Sequence, residues 1–313
     1  MGDPAQQITM PPASSKSVFC REVDATASRQ TSPARASFFW EKRNRLAWSE
    51  FAQPLQTLHL YGAAGVAAFG WALARMLHFH CVKTLPLWFF GALLVYNLDR
   101  LKHDPADALN IPRRVRAHAK FRAASIVLAA VSALALLVFS ARDLRLLALA
   151  FGAGLVSLSY SFPLLGFRMK NVPVVKTLFA PGIVALAYFV PPLLDRALAA
   201  SALLPALWTF LVLLFNMTLC DLRDLAGDRA QGTRSLPVLL GETGTRRLLW
   251  LLVAAQFCLA IQQWTALAVI TAFYLSALLL ALRQPRGEKF YEWLVEGILF
   301  LPAVFELGKQ LAA

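Results

Sequence analysis

Nine stretches of this chain, at about 55–77, 82–98, 121–141, 144–163, 174–194, 202–220, 247–263, 265–282 and 292–311, are predominantly apolar. Each is close to the roughly 20 residues a helix needs to cross the hydrocarbon of a bilayer. A backbone in lipid must satisfy its own hydrogen bonds, which a helix does. The pattern predicts an all-α integral membrane protein, with nine transmembrane helices in a single bundle around a lipid-binding cavity. Only Gln262, Gln263 and Trp264 separate the seventh and eighth windows. The domain would occupy residues 51–313. Residues 1–50, rich in Ser, Ala, Pro, Gln and Arg with no long apolar run, read as a disordered cytoplasmic tail.

Basic residues set the orientation. With the N-terminus cytoplasmic, the tail and the connections on its side hold 25 of the 31 Lys and Arg residues. The other six are Arg75, Lys83, Arg142, Arg145, Arg196 and Lys309. This is the asymmetry of the positive-inside rule. The net charge of +13 is spread over short connections between spans rather than gathered on a soluble module. It therefore points to anionic membrane lipids and not to nucleic acid. No apolar core follows the basic residues of the tail, and Asp3, Glu22 and Asp24 oppose a transit peptide, which favours a bacterial inner membrane. The four cysteines are far apart, with no pair spaced for a disulfide or a zinc site.

The acids are concentrated. Six of ten aspartates fall in two clusters, 99–107 and 221–228. The second reads DLRDLAGDRAQGTRSLP from Asp221 to Pro237, and its Asp221, Asp224 and Asp228 lie at i, i+3 and i+7, one stripe of a helix. The first runs from Tyr96 and Asn97 through Asp99, Arg100 and Asp104 to Asp107. Each cluster ends an even-numbered span, so both fall on the cytoplasmic face. Crowded carboxylates repel and call for a cation. Two facing groups of carboxylate and amide oxygens suit Mg²⁺, which takes oxygen ligands and commonly shares them with substrate phosphates. Around them stand Arg113, Arg114, Arg116, Arg168, Lys170, Lys176, Arg223, Arg229 and Arg234. Acids for metal, bases for phosphate oxygens and apolar walls behind suggest a lipid diphosphate as substrate.

At these residues the chain resembles a known family. DLRDLAGDRAQGTRSLPVLLG, from Asp221 to Gly241, is similar to the second aspartate-rich motif of the UbiA-type membrane prenyltransferases. Tyr160-Ser161-Phe162-Pro163, followed by Arg168, Lys170 and Lys176, resembles that family's Tyr-Ser-x-Pro segment and the basic loop after it. The first motif departs from the family's Asn-Asp-x-x-Asp-x-x-x-Asp, because Leu98 follows Asn97. The resemblance implies a Mg²⁺-dependent prenyltransferase, moving an isoprenyl group from a prenyl diphosphate to an aromatic or other lipophilic acceptor. By the same resemblance Asn97, Asp104, Asp221 and Asp224 would bridge Mg²⁺ to the diphosphate, with Asp228 in support and Asp99 a further candidate ligand. Lys170, Lys176, Arg223 and one of Arg113 or Arg114 would bind the diphosphate oxygens. Tyr160 would bond the diphosphate or face the allylic cation, unless it is an ordinary interfacial aromatic.

Other residues stay open at this level. Glu296, inside the last window, either faces the cavity or pairs with a base near the cytoplasmic end. His59, His78 and His80 have no ligand spacing and are placed at the outer interface. A terpene cyclase on the same scaffold, or a lipid binder or transporter without catalysis, are the alternatives to transfer.

Overall fold

The computed structural model describes residues 52–101, 105–162, 169, 172–194, 202–263 and 265–312. The tail expected over 1–50, together with Asp104, Arg168 and Lys170, lies outside them. The described residues are helical wherever they are regular, and helices occupy the apolar windows. In chain order, α1 is Leu60–Met76 and α2 is Thr84–Leu101, with two short helices, α3 (Pro105–Asn110) and α4 (Pro112–Lys120), after it. There follow α5 (Arg122–Ser140), α6 (Leu144–Ser161), α7 (Val175–Leu194), α8 (Leu203–Arg223), the short α9 (Leu225–Ala230), α10 (Leu236–Gln263) and α11 (Ala266–Ala281). The chain then runs through Glu288–Phe290, a π turn over Tyr291–Val295 and a 3₁₀ turn over Glu296–Phe300 into α12 (Leu301–Ala312). Four of these helices, α5, α7, α8 and α10, are long and apolar enough to cross a membrane by length and composition.

Local chemistry sets the breaks. Asp143 accepts from the amides of Arg145 and Leu146 to start α6, and Thr265 accepts from Ala268 to start α11. That cap turns the seventh and eighth apolar windows into two packed helices despite their short separation. Gly241, at φ 69°, kinks α10 in a left-handed conformation that glycine adopts at little cost.

The core lies where α1, α2, α7 and α8 cross. Phe69 stacks between Tyr188 and Trp208, and Trp88 meets the Tyr188 ring edge-on. Both polar tips are satisfied across helices: Trp88 Nε1 donates to Ala187 O at 2.8 Å and Tyr188 Oη to Val66 O at 2.7 Å. A Cβ at Gly70 would come within 2.3 Å of the Trp88 ring, so this crossing needs glycine. Along α5 the side chains of Val127, Leu134 and Val138 are exposed, as suits a helix at the rim with lipid beside it. α8 is the most buried of the four long helices, and it carries Asp221.

Candidate functional site

The aspartates at 221–228 do not share one unbroken helix. Helix α8 ends at Arg223, α9 opens at Leu225, and Asp224 stands at the joint with φ −85° and ψ 3°. Backbone bonds from Asp224 N to Cys220 O (3.1 Å) and from Asp228 N to Asp224 O (3.0 Å) carry the turn across it. Asp221 and Asp228 therefore still face one way, and both reach Lys176 on the first turn of α7. Its Nζ lies 2.6 Å from Asp228 Oδ1 and 3.3 Å from Asp221 Oδ1. Thr177 donates to Asp221 Oδ2 at 2.5 Å and accepts from Leu236 N at 3.2 Å. Both carboxylates are buried, a state that is costly for a charge unless it is paired and hydrogen-bonded.

Asp224, turned aside by the joint, takes Arg223 instead, through Nε at 2.7 Å and Nη2 at 2.9 Å. Burial alone would raise the Asp224 carboxyl. The Arg223 guanidinium bonded to it, with Lys176 and Arg100 beyond, holds it below the ordinary carboxylate range. Arg223 also lies over the Tyr291 ring at 5.4 Å.

The start of α7 is tied down. Val174 adopts φ 68°, an outlier for a β-branched residue, while its amide donates to Arg234 O at 3.0 Å. The loop after the second cluster thus anchors the turn that carries Lys176 and Thr177.

The first cluster meets the second. Asn97 is fully buried; its Nδ2 donates to Leu58 O at 3.1 Å and to Leu93 O at 2.9 Å, while Oδ1 has no hydrogen-bond partner among the described residues. Arg100 is ion-paired with Asp107 and lies within electrostatic reach of Asp99 and Asp224. Between the short helices, Asn110 Oδ1 accepts from Gly227 N at 2.9 Å, pinning α3 to α9. Tyr160, at the end of α6, donates to Lys176 O at 3.5 Å and stacks on Phe179 at 4.6 Å. The charges of Asp221, Asp99 and Asp228 all reach its hydroxyl.

Arg113 and Arg114 separate in role. Both backbone amides are capped by Glu288, at 3.3 Å each. The Arg114 side chain is buried and committed, with Nη2 3.3 Å from Glu296 Oε1 and Nε 3.9 Å from Glu292 Oε1. Of the two readings of Glu296, the pairing with a base is the one the structure shows. The turn bearing these acids is irregular, and four successive carbonyls accept side-chain donors from elsewhere. Glu292 O takes Gln56, Trp293 O takes Tyr61, Leu294 O takes Tyr274 and Val295 O takes Asn216, at 2.7, 3.2, 2.7 and 2.9 Å. Freed carbonyls at membrane depth require such partners, so Asn216, the one amide side chain in α8's apolar run, helps hold up the π turn.

One placement is corrected. His59 is not at the outer interface: it is buried at the aspartate end, between Tyr96 at 5.3 Å and His118 at 5.4 Å. It opens the first helix on the side where Asn97 bonds Leu58 O. His118 is pushed down to about 4, by burial and then by Arg100 and Arg114, so it is neutral at neutral pH.

Thr177, Asn110, Arg100 and Glu288 belong to the site but were not singled out by their spacing. Two had a local signal, Thr177 next to Lys176 on the same first turn and Arg100 within the first acidic cluster. The donors at this end are hard oxygens. Among the described residues no three His, Cys, Asp or Glu side chains converge closely enough to hold an ion by themselves. Asn97 Oδ1, buried and without a hydrogen-bond partner among the described residues, is a hard oxygen that fits a Mg²⁺ sharing its coordination with phosphate oxygens better than it fits a resident protein cage.

The family model described as the UbiA prenyltransferase family matches residues 105–289, more than half of the chain. The match contains the whole second cluster, Tyr160 and Lys176, and it opens just after Asp104. No curated protein matches the chain, and no solved structure does.

Proposed function

The chain belongs to the UbiA prenyltransferase family, and from that premise we propose that it transfers an isoprenyl group from a prenyl diphosphate to an aromatic or other lipophilic acceptor at the aspartate end of its bundle. One observation carries this reading: a single lysine, Lys176, is held between two buried aspartates, with the Arg223–Asp224 pair and Arg100 beside it. Such an array can exchange its internal ion pairs for the oxygens of a diphosphate.

In this reading Asp221, Asp224 and Asn97 hold Mg²⁺, with Asp99, Asp104 and Asp228 completing or supporting the set. When bound, the ion supplies neutralisation of the diphosphate charge. The chain's own cations do the rest. Lys176, Lys170, Arg223 and Arg113 bind the non-bridging oxygens, Arg114 being already engaged by Glu292 and Glu296. Charge developing on the departing diphosphate is stabilised by groups fixed beforehand, which favours breaking the allylic C–O bond. Asp228 keeps Lys176 aimed, and the Tyr160 ring faces the resulting cation. The acceptor's ring carbon or hydroxyl then captures the cation and gives up a proton.

The same reading sends all nine apolar windows across the membrane. The charge asymmetry puts the aspartate end on the cytoplasmic face, of a bacterial inner membrane whose anionic lipids match the basic connections. Product analysis with purified protein, prenyl diphosphates and a mixed lipid and quinone-precursor extract tests the reaction. A prenylated product that forms only with acceptor supports transfer. A cyclic product without acceptor would replace it with cyclisation, and donor binding without turnover would replace it with a non-catalytic lipid binder.

A further inference from the structure

At the end of the bundle opposite the aspartates, α1 runs out, α2 begins and α12 finishes. Two cavities follow one another along the seam between α1 and α12. The inner one, about 560 Å³, is an apolar trough walled by Ala64, Ala68, Trp71, Phe90 and Leu307 among others. The outer one, about 450 Å³, is lined by Arg75, His78, His80, Glu306 and Lys309. Ala64, Ala68, Trp71 and Arg75 fall at i, i+4, i+7 and i+11, a single stripe of α1. The trough therefore leads directly to the Arg75 guanidinium.

The charges here are selective. The connections on this side are poor in cations, yet two of their six Lys and Arg residues, Arg75 and Lys309, line one cavity with two of the chain's five histidines. Glu306 is buried and bonded to Lys309 Nζ at 3.0 Å. Among the described residues Arg75 has no carboxylate partner, so the uncompensated charge at this mouth is its guanidinium. A single arginine would be accounted for by the C-terminal dipole of α1; the convergence of four basic side chains is not. His78 lies beyond the end of α1 at φ 57°, a left-handed position where glycine is usual and a side chain is strained.

We propose that this seam is a site for one anionic phospholipid. Its headgroup phosphate sits in the outer cavity against Arg75, with Lys309, His78 and His80 at the rim, and one acyl chain lies along the trough. Charge complementarity and the alignment of the cavities fix the occupant. A soluble phosphate would leave the trough unfilled, and a zwitterionic lipid would bring its own quaternary ammonium into a cavity already lined by Arg75, Lys309, His78 and His80. The proposal rests on the chain being an integral membrane protein and is independent of the transfer reaction.

The test is lipid retention by the delipidated full chain in non-ionic detergent, read by native mass spectrometry with phosphatidylglycerol, with phosphatidylcholine of the same chains, and with inorganic phosphate as competitor. The expected result is one bound phosphatidylglycerol, held about tenfold over phosphatidylcholine, whose headgroup ammonium is repelled by the basic rim. Arg75→Gln should lower retention to the phosphatidylcholine level, and Ala68→Phe, which fills the trough without changing charge, should lower it too. Arg75 is exposed, so Arg75→Gln should keep the melting temperature of the lipid-free protein. Equal retention of the two lipids, or retention unchanged in both variants, would overturn the site. Displacement by millimolar inorganic phosphate would also overturn it, reducing it to a small-anion site.

Discussion

The acids at 221–228 and those at 99–107 share one end of the bundle but are built differently. Asp221 and Asp228 are buried on the inner side of a nearly continuous helix and share Lys176, with Thr177 closing a second bond. In the first cluster the best-held group is an amide, Asn97, fixed through its nitrogen with its oxygen left over. The ion pair of this cluster, Arg100 with Asp107, is partly exposed, at 19% and 26% of the side chains. The family match includes the second cluster and begins beyond Asp104. Under the proposed function the difference is a division of labour: the second cluster is pre-organised around an internal cation, and the first would supply ligands that complete the site once diphosphate has arrived.

That division can be broken in order of expected effect. Asp221→Ala should lower diphosphate release on the order of 10²–10³-fold, the scale of losing one pre-organised electrostatic group; turnover within a few fold of wild type would remove Asp221 from the site. Lys176→Met leaves two buried carboxylates without their cation, so unfolding in detergent should become easier by about 3–5 kcal/mol. An unchanged melting temperature would mean that the lysine is not structural there. Asn97→Ala should cost less, about 1–3 kcal/mol of stability from the Leu58 carbonyl left unpaired, with a smaller fall in turnover than Asp221→Ala. If its turnover falls further than that of Asp221→Ala, the ranking of the two clusters is reversed. Asp107→Asn should be the mildest, at most about 1 kcal/mol, because its partner is partly exposed.

Much of this end of the molecule was legible in the chain because it is local. The apolar windows gave the helices, and Asp221, Arg223, Asp224 and Asp228 lie within eight residues. What the spacing missed is non-local. The π turn rests on donors from Gln56, Tyr61, Asn216 and Tyr274, three separate parts of the sequence, and nothing near Glu292 announces them. Arg113 and Arg114 are neighbours with equal claims until the turn brings Glu296 to Arg114. The joint at Asp224 follows from its Arg223 pairing and the packing of α9 on α3, neither visible in an i, i+3, i+7 pattern. His59 was misplaced because a lone histidine at the edge of an apolar window does not say which end it marks.

The most direct measurement is diphosphate release by purified protein from geranyl, farnesyl, geranylgeranyl and phytyl diphosphates, with Mg²⁺ and with chelator. The account predicts release from at least one donor that chelator abolishes and added Mg²⁺ restores. Binding of a donor without release under either condition would contradict it, and would make the aspartate end a place where prenyl diphosphates are held and not broken.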